Sequence, residues 1–519
     1  MTQQSIESTG LRTHANGTLR KADVGEEVRL CGWVHRRRDL GGLFFIDLRD
    51  RSGLVQLSVD PQWSDASVLA AAGTLGSEDV IAVEGSVAPR PDANPDMATG
   101  EVEVRVVRLE RLNRADVPAI PVFRGPDDEL PSEELRLQHR VLDLRRPELQ
   151  GNLVLRHKII LAARNALDAL GFVEVETPIL TKPTPEGARD FLVPSRVSPG
   201  QFFALPQSPQ IYKQLLMVSG FDRYFQMARC FRDEDLRADR QPEFSQIDVE
   251  ASFVVPDDIF GWMEGVMSTV ASVAGVPADT PFPRLTWAEA MESYGSDRPD
   301  LRCPLRIEDW TSAFSTVDST ILKSAVEAGG RVRGIRVPTG AALSRKKIDG
   351  LEEVARAAGA PGLFWAKITD DGAKGPLGRF LEPGHLSAIG AEVGDLILVG
   401  AGADSITGSS LGAVRTVAAE VAGVARTTEH AWHWVTDFPL FEGGADGGAL
   451  LANHHPFVLP HPDDAHQLET DPGSVRGLAY DLVYNGAELG SGSIRNHDSD
   501  VQRTILRILG LSEDDIEHK

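Results

Sequence analysis

Two stretches of this chain gather side chains that could handle a highly charged ligand. Phe231–Asp248 reads FRDEDLRADRQPEFSQID and concentrates arginines and carboxylates between two strand-like runs. That suits a polyanionic substrate, with a solvated charged hairpin as the plainer alternative. Tyr480–Arg495 reads YDLVYNGAELGSGSIR, and its Asn485-Gly486 pair predicts a two-residue hairpin turn. In that register Val483 faces Glu488, and period-two alternation puts Asp481 on the same face, so Asp481 and Glu488 become diagonal cross-strand neighbours. Two carboxylates so placed repel each other unless a cation intervenes. Gly490 and Gly492 let the backbone approach a ligand closely. His454 and His455, in LLANHHPF, also suit an ordinary polar loop; no third ligand recurs at metal-site spacing, and no zinc is expected.

The elements that must position these groups are legible around them. Tyr224–Phe231 is β-rich, and Glu243–Glu250 alternates, placing Gln246 and Asp248 on one face and Ile247 and Val249 on the other. Earlier in the chain, Val28–His35, Leu43–Leu48, Leu54–Val59, Val80–Val87 and Val102–Leu109 read as short strands separated by Gly and Asp turns, which predicts a small β-barrel. From Asn113 to about Glu148 the composition shifts to Pro, Asp, Glu and Arg, a linker with a short helical piece. A helix is expected over Leu153–Leu170, ended by Gly171, with Phe172–Pro178 extended. Residues from Trp287 to Arg426 form a Gly- and Ala-rich mixed segment with strand-like GIRVP and LFWAKI and a helix over Lys346–Gly359.

At 519 residues, the chain has room for about three or four domains, and 42% hydrophobic residues can fill real cores. No apolar run approaches the roughly 20 residues of a membrane span, and MTQQSIESTG has no basic region followed by an apolar one, so the expected location is the cytoplasm. Cys31, Cys230 and Cys303 are far apart and predict neither disulfides nor a structural zinc site. A net charge of -23 argues against nucleic acid as a global average. Its distribution matters more: Arg36, Arg37 and Arg38 cluster, and Arg49 and Arg51 are expected to join them as one docking surface.

Phe231–Asp248 resembles motif 2 of the class II aminoacyl-tRNA synthetases, and from about Val28 onward the chain is similar to the bacterial aspartyl-tRNA synthetase family. The resemblance implies an α+β multidomain fold. Residues 1–112 would be an anticodon-binding OB-fold barrel and 113–148 a linker. A class II antiparallel-sheet catalytic domain would occupy 149–286 and 427–519, interrupted by a mixed α/β insertion domain at 287–426. GFVEVETPIL resembles motif 1, which implies a homodimer. The implied activity is activation of L-aspartate by ATP, with Mg²⁺, and transfer of the aspartyl group to the 3′ end of tRNA(Asp).

The resemblance also implies site residues. Arg232 would contact both the ATP α-phosphate and the amino-acid carboxylate. A fixed guanidinium bridging two anions lowers the barrier to their reaction. Phe244 would stack on adenine, with Asp233, Glu234, Gln241 and Glu488 at nucleotide-contacting positions, and Asp481 with Glu488 would hold Mg²⁺. Glu186, Ser208, Gln210, Gln246, His454 and His455 fall on the aspartate site. There Lys213 and Arg495 would read the side-chain carboxylate, and Asp248 would supply the anion for the ammonium. On the barrel, Arg38, Phe45 and Gln56 would contact the anticodon, Phe45 by stacking worth about 1–3 kcal/mol. Leu40 stands where relaxed enzymes, which also charge the asparagine tRNA, often have histidine, and so implies strict tRNA choice.

One departure is the absence of motif 3, whose GLDR arginine holds the ATP γ-phosphate in the family. It leads to the expectation of a C-terminally truncated sequence with little activity. A sibling ligase for asparagine or lysine is the first alternative. Lys213 and Arg495 argue against it, because a neutral or cationic side chain would leave them unpaired. The second is a non-catalytic tRNA-binding paralogue.

Overall fold

The computed structural model describes residues 8–122, 128–183, 188–235, 241–444 and 448–518. They divide into two compact units, Met1–Arg156 and His157–Lys519.

In the first unit, β1 (Glu27–Asp39), β2 (Phe44–Asp50), β3 (Gly53–Val59), β4 (Val80–Pro89) and β5 (Val102–Asn113) close a barrel in the order β1-β2-β3-β5-β4. Alternation decides what fills it: Val28, Leu30, Ile46, Leu48, Val55 and Leu57 point inward into one core. Phe45 and Asp47 therefore point outward. β1 runs past the expected His35, and Arg36, Arg37 and Arg38 continue the ladder opposite Asp47, Ile46 and Phe45, after a register shift between Val34 and Arg36. A run of three arginines carries no apolar alternation, so its strand character comes from its partner. After the barrel, Glu133–Gln138 and Arg140–Asp143 are short helices tied down by buried Asp143, which receives Arg140 at 3.1 Å and Arg146 at 2.9 Å.

The expected helix begins earlier than its apolar periodicity, at Pro147, and ends at Ala169, because its polar first turns leave no hydrophobic signature. In the second unit its Ala163 and Leu167 pack with Phe172, Phe225, Val266 and Val270. These side chains lie against a sheet of β6 (Val173–Glu174), β9 (Arg223–Phe231) and β10 (Glu243–Ala251), with β9 and β10 antiparallel and β6 parallel to β9. Between them, β7 (Leu192–Pro194) pairs with β8 (Phe202–Ala204), and the helix Gln210–Val218 precedes β9.

A second sheet, in the order β11-β17-β20-β21, is built from β11 (Arg284–Thr286), β17 (Trp432–Thr436), β20 (Ala479–Tyr484) and β21 (Ala487–Ser493). Between β11 and β17 the chain forms a five-stranded sheet of β12 (Glu308–Asp309), β13 (Arg331–Val337), β14 (Phe364–Thr369), β15 (Gly372–Lys374) and β16 (Leu396–Gly402), in the order β12-β13-β16-β14-β15. Leu396 and Leu398 join one core with the helices Arg345–Ala357 and Asp404–Ala422, while Ile397 and Val399 join another with Trp310 and Phe314. The continuous apolar run of β16 thus marks a strand buried on both faces. The chain enters this segment at Arg302 and leaves at Thr427, whose N–H donates to the Arg302 carbonyl at 2.9 Å. A ribbon of β18 (Phe441–Gly444) and β19 (Gly448–Ala452) completes the strands. Among the described residues, no helix is long and apolar enough to cross a membrane.

Candidate functional site

Helix Gln210–Val218 presents Gln210 and Lys213, one turn apart, to the polar face of β10. Lys213 Nζ lies 2.7 Å from Asp248 Oδ1 and 3.3 Å from Glu250 Oε2. Burial works against the ammonium, but Asp248 and Glu250 outweigh it and hold its pKa above the ordinary value. Arg495, just past β21, donates through Nη2 to Gln210 Oε1 at 2.9 Å and through Nη1 to Ser493 Oγ at 3.0 Å, with Nε 3.5 Å from Glu250 Oε1. Beside it, His455 is driven to a pKa of about 2 by burial and then by the charge of Arg495, so its ring is neutral.

Two buried polar atoms of this cluster have no hydrogen-bond partner among the described residues, the donor Gln210 Nε2 and the acceptor Asp248 Oδ2. The sequence expectation gave Lys213 and Asp248 to separate groups of a ligand; here they are paired with each other. Glu250 was not among the expected residues, although it continues the alternation of Gln246 and Asp248. Gln246 accepts from Cys230 Sγ at 3.3 Å, and Ser208 stands half-buried two residues before the helix. Glu186 lies outside the described residues.

Arg232 follows β9, and its guanidinium sits 5.2 Å from the ring centroid of Phe244 at the start of β10. Its backbone N–H donates to the Pro242 carbonyl at 2.9 Å, while its Nε is buried without a partner among the described residues. Asp233 N–H is held by the Arg189 carbonyl at 3.0 Å. Glu234 is half-buried, and Gln241 is exposed immediately before β10.

Asn485 and Gly486 form the expected two-residue turn, with φ of 52° and 82°, and Val483 stands opposite Glu488. The register then shifts, so that Leu482 faces Gly490 and Asp481 faces Ser491. This bulge moves Asp481 along the ladder without separating the two carboxylates electrostatically. Burial raises the Asp481 carboxyl above its usual range, and Glu488 is raised by desolvation and then by Asp481. Asp297, unmarked in the sequence reading, pushes both upward. His454 Nε2 lies 3.2 Å from Asp481 Oδ1. Among the described residues, no group of three or more His, Cys, Asp or Glu is gathered as a metal site.

On the barrel, the three expected residues converge. Arg38 Nη2 donates to Gln56 Oε1 at 2.9 Å and reaches Asp47 Oδ1 at 3.4 Å, and its guanidinium lies 5.7 Å from the Phe45 ring centroid. Gln56 is itself fixed, donating to Glu103 Oε2 at 2.9 Å. Leu40 is 65% exposed at the end of β1. The expected basic surface needs correction. Arg49 is buried although it shares the outward face of Phe45 and Asp47, because Glu78 lies over it and accepts from its guanidinium through both oxygens at 2.8 and 2.7 Å. Arg37 is spent on the last carbonyls of the helix Ala66–Gly73, including Ala72 O at 3.2 Å.

The family described as tRNA synthetases class II (D, K and N) matches residues 132–519, and the OB-fold nucleic acid binding domain matches residues 28–112. The aspartate–tRNA(Asp/Asn) ligase of Syntrophotalea carbinolica is 48% identical over 516 residues, covering 98% of this chain and 86% of that protein. The aspartate–tRNA ligase of Exiguobacterium sibiricum is 48% identical over 511 residues, covering 97% of this chain and 86% of its own. Among solved structures, aspartyl-tRNA synthetase from Entamoeba histolytica shares the fold with a TM-score of 0.58 at 16% identity, covering 100% of this chain and 85% of that one. Asparaginyl-tRNA synthetase from Pyrococcus horikoshii does so with a TM-score of 0.57 at 19% identity, covering 96% and 87%.

Proposed function

Because the chain belongs to the class II tRNA synthetases of the D, K and N group, we propose that it is an aspartate–tRNA ligase using L-aspartate, ATP and tRNA(Asp). One observation carries the choice of amino acid: among the described residues, the buried cluster of Lys213, Arg495, Asp248 and Glu250 leaves one donor, Gln210 Nε2, and one acceptor, Asp248 Oδ2, open. An open acceptor suits an ammonium and an open donor suits a carboxylate. Two neighbouring cations suit a ligand with a second carboxylate better than one ending in an amide or an amine.

In this reading the α-carboxylate of aspartate attacks the α-phosphorus of ATP. The bond to the pyrophosphate oxygen breaks, giving aspartyl-adenylate and pyrophosphate. A hydroxyl of the terminal adenosine of tRNA then attacks the activated carbonyl, loses its proton and displaces AMP. No side chain acts as nucleophile. Arg232 draws the two anions together, and Phe244 offers its ring to adenine, with Asp233, Glu234 and Gln241 around the nucleotide. Ser208, Gln246, His454, His455 and Glu186 complete the aspartate site.

Asp481 and Glu488 would hold Mg²⁺, which supplies neutralisation of phosphate charge when bound. The donor set fits. Mg²⁺ usually takes one or two carboxylates and completes its shell with phosphate oxygens and water, and both carboxyls are raised above their usual range by burial, Glu488 further by Asp481. Arg38, Phe45 and Gln56 would meet the anticodon, Leu40 favouring strict tRNA choice. The enzyme would act in the cytoplasm as a homodimer through the motif 1 segment.

ATP–pyrophosphate exchange with aspartate, asparagine and lysine in turn tests the assignment, with equilibrium binding of the three amino acids reading the same preference where turnover is slow. Aspartate alone should support exchange. Equal responses to asparagine or lysine would sink the reading.

A further inference from the structure

The turn between β20 and β21 is held from two sides. On one side, Asn485 Oδ1 accepts from the Ala431 N–H at 2.8 Å and Asn485 Nδ2 donates to the Glu429 carbonyl at 3.2 Å. On the other, the segment that opens the five-stranded insertion sits directly on the turn, since a Cβ added to Gly486 would stand 3.1 Å from the Cβ of Asp300. A side chain there would press on Asp300 and be strained by the positive φ, both of which favour glycine.

Arg302 joins the two. It grips Asp300 as a fork, Nε to Oδ1 at 2.9 Å and Nη2 to Oδ2 at 2.7 Å, and Nη2 also reaches the Asn485 carbonyl at 3.4 Å. Asp300 is anchored in turn to the insertion, its carbonyl accepting from Arg415 Nη2 at 2.8 Å.

The turn lies between two carboxylates, Asp481 four residues before Asn485 on β20 and Glu488 two residues after Gly486 on β21. The ladder linking them is interrupted by a bulge. A bulged hairpin tip with glycines on one strand has little intrinsic stiffness. From this geometry we infer that Arg302, together with Asp300, is a positioning residue for the Asp481–Glu488 pair, so that the root of the insertion sets the separation at which the two carboxylates receive a divalent cation. The inference rests on the reading of that pair as the metal site.

Mn²⁺ binding in the presence of ATP, read by water-proton relaxation on the full chain, tests both levels. Loss of an outer support of a metal ligand typically weakens metal binding about 10–100-fold, and this range is expected for Arg302→Ala. Asp300→Asn keeps the volume while weakening the fork, and should move the same way by a smaller factor. Arg302→Lys, which retains charge but not the fork, should fail to restore wild-type affinity. Aspartate binding and the metal-free thermal midpoint should stay near wild type. Unchanged Mn²⁺ affinity in both Arg302→Ala and Asp300→Asn, with loss in Asp481→Asn and Glu488→Gln, overturns the positioning role alone. Unchanged affinity in the last two overturns the metal-pair reading itself. Parallel loss of aspartate binding and thermal midpoint in the Arg302 and Asp300 variants marks a general defect and also overturns the inference.

Discussion

The ammonium of Lys213 lies 2.7 Å from Oδ1 of Asp248 with both side chains 7% exposed or less, so each buried charge is held by the other. Removing one partner strands its counterpart away from water. Lys213→Met is therefore expected to cost about 3–5 kcal/mol of stability, and the double variant Lys213→Met/Asp248→Asn to recover much of it. Urea unfolding of the two single variants and the double variant checks this. Simple additivity of the losses would contradict the coupling.

Arg495 is the cation of the cluster with the greater share of neutral partners, Gln210 and Ser493. Under the proposed function, Arg495→Leu removes charge-assisted contacts worth roughly 1.5–3 kcal/mol each. It should lower kcat/KM for aspartate by about tenfold or more, with a much smaller change in KM for ATP. An aspartate response equal to wild type in pyrophosphate exchange would take Arg495 out of the site.

Phe45 and Arg38 share one outward face of the barrel, with Gln56 fixing the guanidinium. Phe45→Ala should weaken binding of the anticodon arm by about 1–3 kcal/mol, the usual worth of stacking on an aromatic. Adenylate formation should be unaffected. Filter binding of the arm beside pyrophosphate exchange separates the two effects, and a matched fall in both would contradict the division of labour.

His433, on β17, is wholly buried, and neither ring nitrogen has a hydrogen-bond partner among the described residues. Burial lowers its pKa from 6.5 to about 4, with Asp300 pulling weakly the other way. The folded value is depressed, so its contribution is fully present above pH 6.5 and is lost as the pH falls towards about 4. That amounts to about 3 kcal/mol. His433→Leu should flatten this part of the acid dependence relative to wild type in urea unfolding; an identical pH dependence in both proteins would count against it.

Much of this was legible before any coordinates. The barrel strands, the strand pair around Phe231–Asp248 and the Asn485-Gly486 turn follow from alternation and turn chemistry, because those signals are local. Glu250 was legible too, one more step of the alternation that placed Gln246 and Asp248 on the polar face. Other features were not. Arg49 finds its carboxylate in Glu78, 29 residues away, and nothing near Arg49 distinguishes it from a surface arginine. The bulge beside Val483 falls in a glycine-rich strand, where an extra residue leaves no break in side-chain pattern. The mutual pairing of Lys213 and Asp248 depends on a helix packing against a strand, a relationship that composition cannot carry.

The hydrogen bond between Thr427 and Arg302 gives the five-stranded segment a thermodynamic freedom of its own. Since its two ends already meet, the parent sheet experiences everything between them as a loop. Lengthening such a loop is inexpensive, about 0.6 kcal/mol per doubling in closure entropy. The segment also carries separate cores on both faces of its sheet, so it can hold its shape without borrowing apolar surface from its host. Evolution could therefore graft, enlarge or delete it at this neck with little penalty to the surrounding fold. The constraint would fall on the neck residues, and the body of the segment would be free to diverge.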